Sequence, residues 1–227
     1  MLLHQQFVLM AKKHAGKLAI IDKTTNKNIT YSTALIGALI LSSKFKKYDE
    51  GFIGIMIPTS AGCALATVGA LMSGRVPVMI NYSTGAEENA KFAQKKCKFK
   101  TIITSRALLE KIKCKVIEGM VMIEDLMESV STLEKLNAAL TSKLPVKMIL
   151  NRIHKGDKND TCAILFTTGS EKDPKAVPLT HLNIASNIEN FGNYLKIGEK
   201  DIILVNLVFF HVFGLTINLW VAFYYGI

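Results

Sequence analysis

The sequence predicts an α/β protein, a mostly parallel sheet with helices on both faces. Three observations predict it. Short apolar runs closed by Pro or by polar turns alternate with longer segments of helical apolar spacing, the order that builds parallel sheets. At 227 residues and 49% hydrophobic, the chain can bury one sizeable core. A hydroxyl- and Lys-bearing loop, "TTGSEKDPKA" (167–176), directly follows the apolar run Ala163 to Phe166. In parallel sheets, ligands bind at the carboxyl ends of strands.

The segments follow in order. "YSTALIGALILSSKF" reads as an amphipathic helix after the turn-rich "DKTTNKN". "FIGIMI" (52–57), closed by Pro58, reads as a buried strand, and Thr59 or Ser60 can cap the helix through "AGCALATVGALMSG". "VPVMI" (76–80) is the next strand, with Pro77 near its start. A helix through "AEENAKFAQKKCK", a strand "TIITS" (101–105), a short helix "RALLEKIK" and a strand near Val121 follow. "EDLMESVSTLEKLNAAL" has helical spacing. Residues 145–160, with "HKGDKND", read as a linker between a first lobe (1–150) and a phosphate-loop unit (151–227). Beyond the loop, helical spacing runs from Leu179 to Leu195, and a strand is expected from Ile202 to Val208.

The formal charge is +10, and only Arg75, Arg106 and Arg152 among 28 basic residues are Arg. Nucleic-acid readers lean on Arg for bidentate base contacts, and no such signature or basic helix is present. The Lys excess suits a soluble surface, anionic lipid or an acidic protein partner. The four cysteines form no Cys-x-x-Cys pair, which argues against a zinc site and for reduced thiols in a cytoplasmic setting. Residues 202–227 contain no Asp, Glu, Lys or Arg and are long enough to span a bilayer. Asn206, His211, Gly214, Thr216 and Asn218 interrupt them, as a buried strand, polar turn and buried helix would.

In the loop, Thr167, Thr168 and Ser170 place hydroxyls around Gly169, which permits a turn that a side chain would obstruct. Successive N–H groups in such a turn make a nest for anions. Lys175 adds a point charge and Pro174 stiffens the approach to it. The spacing is neither that of the Walker loop nor the dinucleotide fingerprint, so a hydroxyl-rich surface turn is the alternative. "FFHVFGL" (209–215) sets His211 among aromatics, either as a polar group in an apolar pocket or as a core histidine.

Taken together, the loop, the following "LTH" (179–181) and Phe210-His211-x-x-Gly214 resemble the acyl-adenylate-forming superfamily, which includes the AMP-forming acyl-CoA synthetases. "ITYSTALIGALILSSKF" and "GFIGIMIPTSAGCALATVGALMSGRVPVMIN" resemble its earlier segments, so the likeness covers nearly the whole chain. Within that superfamily, "MINYSTG", "KTIITSRALLEK", "IEDL" and "FFHVFGLT" resemble the synthetase part of acyl-acyl carrier protein synthetase/2-acylglycerophosphoethanolamine acyltransferase. The resemblance implies ATP and Mg²⁺ as cofactors and a fatty acid as substrate. The acyl-adenylate then passes to a thiol. In the narrower branch that thiol belongs to acyl carrier protein, and a lysophospholipid at the inner membrane surface follows. By position, Thr167, Thr168, Gly169, Ser170, Glu171, Lys172 and Lys175 would hold the phosphates, Thr168 would touch the metal, and His211 would sit by the reacting carboxylate.

The sequence also departs from the pattern. Lys172 and Ala176 stand where the family has Gly, and Tyr82 stands where most relatives have Pro. The family's adenine motif, ribose-binding Asp and C-terminal Lys are not found before Ile227, nor is a His-x-x-x-x-Asp acyltransferase motif. The expectations are therefore no useful adenylate formation by these 227 residues alone, and self-association through an exposed apolar edge. A fatty acyl-CoA ligase segment, a non-catalytic fatty-acid- or nucleotide-binding protein and a membrane-anchored protein are the competing readings.

Overall fold

The structure is a computed structural model and describes residues 1–23, 25–167 and 174–227. Helix α1 (Leu3–Lys13) precedes a small antiparallel hairpin, β1 (Leu18–Asp22) and β2 (Lys27–Thr30), and then α2 (Tyr31–Phe45). The main sheet is built from β3 (Gly51–Met56), β4 (Arg75–Met79), β5 (Ile102–Thr104), β6 (Met120–Met122), β7 (Thr161–Phe166) and β8 (Ala176–Thr180), in the order β6-β5-β3-β4-β7-β8. Every pairing in it is parallel except β7 with β8. The expected mostly parallel sheet is what forms.

Period-two alternation sends side chains to both faces. Ile53, Ile55, Met79, Ala163 and Leu165 join one buried cluster with α1, α2 and α3 (Ala61–Met72). Val78, Ile80, Ile102 and Ile164 join another with α4 (Ala86–Cys97) and α5 (Arg106–Ile112). Ser60 is the residue that caps α3, accepting from Cys63 N–H at 3.3 Å. Asp22 accepts from Ala61 N–H at 3.0 Å and ties the hairpin to the same helix end. Gly69 lets α3 approach α2 closely; a Cβ there would lie 2.8 Å from Leu41 Cβ.

Residues 123–150 form α6 (Ile123–Glu128), α7 (Thr132–Lys143) and α8 (Val146–Leu150). The break between α6 and α7 is a capping box, Ser131 with Glu134. Lys44 of α2 is 4% exposed and bonds the Glu134 carboxylate and Ser129 O, each at 3.0 Å. The Ser131 N–H and the Lys44 ammonium pull the Glu134 carboxyl down to about 2. The expected linker at 145–160 is partly corrected. Ile149 and Ile153 are buried and His154 N–H donates to Met72 O at 2.9 Å, so the first part of the stretch packs on the core, while residues 154–160 are exposed.

Strand β8 takes in Leu179 and Thr180, where sequence spacing suggested the start of a helix. Helix α9 (His181–Leu195) begins only after Thr180, whose side chain and Asn183 form a second capping box. The expected strand from Ile202 to Val208 does not form. The edge of β7 that faces away from β4 is taken by β8, and this segment has no ladder among the described residues. Ile202 and Leu204 are more than four-fifths exposed. A π-helical turn, Gly214–Val221, and α10 (Ala222–Tyr225) complete the chain. No helix among the described residues is long and apolar enough to cross a membrane.

Three histidines meet where α1, α9 and the 154–160 loop converge. His4 is fully buried and its Nε2–H donates to His154 O at 3.1 Å. Leu3 N–H donates to His181 Nδ1 at 3.1 Å, so that nitrogen must be unprotonated. Burial holds His4 down to about 4, and burial with the neighbouring His4 holds His181 down to about 3. Below the ordinary value of 6.5 the unfolded chain takes up protons that the folded chain refuses, so stability falls with pH. Between pH 7 and 4.5, His4 alone should remove about 2 kcal/mol. Thermal melts across that range should show His4→Gln, which keeps a donor, with a shallower pH slope. Equal slopes would rule out His4 as the source.

Candidate active site

The chain leaves β3 for α3 on one face of the sheet and leaves β4 for α4 on the other. Such divergence opens a crevice between the two carboxyl ends. Tyr82, three residues beyond β4, stands in it. Its Oη accepts from Thr59 N–H, just beyond β3, at 3.4 Å. Burial pushes the Tyr82 phenol above its usual range. The Thr59 hydroxyl is also buried and makes no hydrogen bond among the described residues.

Beside this crevice, β4 pairs with β7 through Val78 and Ile164, which places the end of β7 next to the Tyr82 loop. The β7–β8 ladder continues past its last strand pair, Phe166 with Ala176. Thr167 N–H donates to Lys175 O at 3.0 Å, and Lys175 N–H donates to Thr167 Oγ1 at 3.1 Å. The neck of the predicted phosphate loop is thus closed, and Thr167 and Lys175 lie opposite one another, both exposed. The other predicted loop residues, Thr168, Gly169, Ser170, Glu171 and Lys172, lie outside the described residues. Ala176 sits in extended strand, so a side chain at that position brings no backbone strain.

His211 rides on a tight turn. Its N–H donates to Val208 O at 3.2 Å, and its carbonyl accepts from Leu215 N–H at 2.9 Å. Phe209 and Phe210 are buried and anchor the turn, while His211 itself is exposed. The Phe210 ring meets Tyr82 edge-on, with centroids 5.0 Å apart and planes at 85°, and lies 4.8 Å from the His211 ring. Gly214 presses directly on the turn; a Cβ would overlap Val208 O and come within 2.8 Å of its carbonyl carbon. The buried Asn218 amide, with its oxygen toward the turn, accepts from Leu207 N–H at 3.0 Å and Asn206 N–H at 3.2 Å.

The structure therefore brings the loop neck and the His211 turn to the same end of the sheet. Sequence reasoning found both but missed two supports. Tyr82 registered only as a departure from a pattern. Asn218 read as an interruption of an apolar run, although a lone buried amide in a charge-free stretch signals a backbone to be satisfied.

This end of the sheet combines a hydroxyl- and Lys-bearing loop with an exposed imidazole on an aromatic mount, a donor set suited to a phosphorylated ligand. A model of the AMP-binding enzyme family matches residues 7–227. The chain belongs to that family. Among its relatives, 4-coumarate–CoA ligase 2 of Petroselinum crispum is 26% identical over 215 residues, covering 90% of this chain and 38% of that protein. Long-chain-fatty-acid–CoA ligase 1 of Saccharomyces cerevisiae is 36% identical over 76 residues, 33% of this chain and 11% of that one. Among solved structures, o-succinylbenzoate CoA synthetase from Bacillus subtilis, in complex with its acyl-adenylate intermediate, superposes with a TM-score of 0.78. It is 17% identical, over 98% of this chain and 54% of its own, a likeness of fold. This AMP-binding family chain thus spans well under half the length of those curated relatives and about half that of the solved one.

Proposed function

We propose that the chain supplies the phosphate-loop and His211 part of the site of an ATP-dependent ligase. That ligase activates a carboxylic acid, here a fatty acid, as its acyl-adenylate. The observation that carries this reading is the closed loop neck, Thr167 with Lys175, at the same carboxyl end of the parallel sheet as the His211 turn. ATP and Mg²⁺ fit the residues present. Lys175 and the hydroxyls of Thr167, Thr168 and Ser170, with the backbone N–H groups around Gly169, would hold the β- and γ-phosphates. Glu171 and Lys172 would flank them, and Thr168 would reach the metal. Bound Mg²⁺ would neutralise phosphate charge.

In this reading Lys175 stabilises charge that grows on the leaving pyrophosphate. His211, held out from buried Phe210, would orient the attacking carboxylate. The accepting thiol has two readings. The curated relatives are named as CoA ligases, which favours coenzyme A. The net charge of +10 and the "NYSTG" stretch favour an acidic acyl carrier protein, with lysophospholipid reacylation beyond it.

The test is equilibrium binding of Mg·ATP by calorimetry. Lys175→Ala should weaken it about tenfold or more, the worth of one charge-assisted contact. Chelating Mg²⁺ should weaken it again. Wild-type affinity in Lys175→Ala would overturn the phosphate-loop reading.

A further inference from the structure

We propose that Tyr82 is the positioning residue for His211. It would act as a strut wedged between the carboxyl ends of β3 and β4, fixing the His211 turn through Phe210. The role in the reaction rests on the function proposed above; the mechanical role does not.

Three contacts in series make the argument. Thr59 N–H donates to Tyr82 Oη at 3.4 Å, which pins the far end of the side chain to the loop before α3. The Tyr82 ring meets Phe210 edge-on at 5.0 Å and 85°, a geometry in which the positive edge of one ring faces the negative face of the other. Phe210 in turn lies 4.8 Å from the His211 ring. The segment from Ile202 to Val208 makes no ladder to hold the turn from the N-terminal side among the described residues, and much of it is exposed. Gly214 and Asn218 fix the turn from the C-terminal side only. Tyr82, just beyond β4, reaches the turn from the side of the sheet through Phe210. A Pro at this position has neither a ring edge to offer Phe210 nor an atom to reach Thr59 N–H, so the family pattern would lack this strut.

The hydroxyl and the ring do separable work. The 3.4 Å bond is long and contributes little. The ring contact is the stronger of the two, so Tyr82→Phe should keep the turn in place and Tyr82→Leu should release it.

The experiment follows histidine ring protons of this chain by ¹H–¹³C correlation NMR, with the His211 signal assigned by its loss in His211→Gln. His211 should move away from the Phe210 ring current and broaden in Tyr82→Leu. It should stay at its wild-type position in Tyr82→Phe. The His4, His154 and His181 signals should hold in both, reporting an intact fold. If Tyr82→Leu does not fold, Tyr82→Met, which also lacks a ring edge but keeps Phe210 beside His211, takes its place and should move His211 alike. A His211 signal unchanged in the variant that removes the Tyr82 ring would overturn the proposal, and so would an equal shift in Tyr82→Phe. No nucleotide or fatty acid enters the measurement. Failure here therefore leaves the Mg·ATP result standing, and failure of Mg·ATP binding leaves this result standing.

Discussion

Replacing Gly214 by Ala should displace the His211 turn and destabilise the chain by about 1–3 kcal/mol, the usual cost of forcing atoms into filled space. The new methyl group would overlap the Val208 carbonyl, which is backbone and cannot rotate aside as a side chain could. Ala would gain up to about 1 kcal/mol over Gly in helical conformation. Overlap with a carbonyl that also accepts the His211 N–H should outweigh that gain. The affected site is the turn itself, so the His211 ring signal should shift along with the melting temperature. A melting temperature at or above wild type, with His211 unmoved, would mean that Gly214 does not press on the turn.

Phe223→Ala should have the larger effect on stability, about 3–5 kcal/mol. Phe223 is 1% exposed, and its ring lies 4.8 Å from Phe7, 6.3 Å from Tyr31 and 6.4 Å from Trp220. These rings come from α1, α2, the π-helical turn and α10, so one side chain joins four segments. The Tyr31 hydroxyl, 3.1 Å from the Ala222 and Ile227 carbonyl oxygens, ties the same corner. Small domains are stable by about 5–15 kcal/mol, so the loss is a large share. Denaturant unfolding would measure it. A loss below about 1 kcal/mol would mean that the corner repacks or was never closely packed.

The sheet was legible where sequence and packing agree. "FIGIMI" and "VPVMI" are apolar throughout because β3 and β4 are covered on both faces; Pro58 closes the first, and Pro77 lies inside β4 opposite Ile53. The strand β8 was not legible. Its sequence, "AVPLT", is short, contains Pro178 and merges into the apolar spacing of α9, and only its pairing with β7 separates the two. The Ile202 to Val208 segment fails in the opposite way. Its composition is that of a buried strand, but strand pairing needs a free neighbouring edge, and composition carries no information about edges. In the site, the loop and His211 were found by residue type and order. Tyr82 acts through a ring contact with Phe210 more than 120 residues away, which leaves no local pattern, whereas Asn218 satisfies backbone N–H groups and showed only as an amide in a charge-free stretch.

The strand order has a consequence for how the chain is made. Strand β4 ends at Met79, but the strand that covers its open edge, β7, begins at Thr161. About 80 residues must leave the ribosome in between, which at ordinary synthesis rates takes on the order of ten seconds. During that interval Val76, Val78 and Met79 present an unpaired, apolar strand edge, a template for any passing strand. Newly made chains should therefore be most vulnerable to aggregation in this window, and slowing synthesis between these strands should lengthen it.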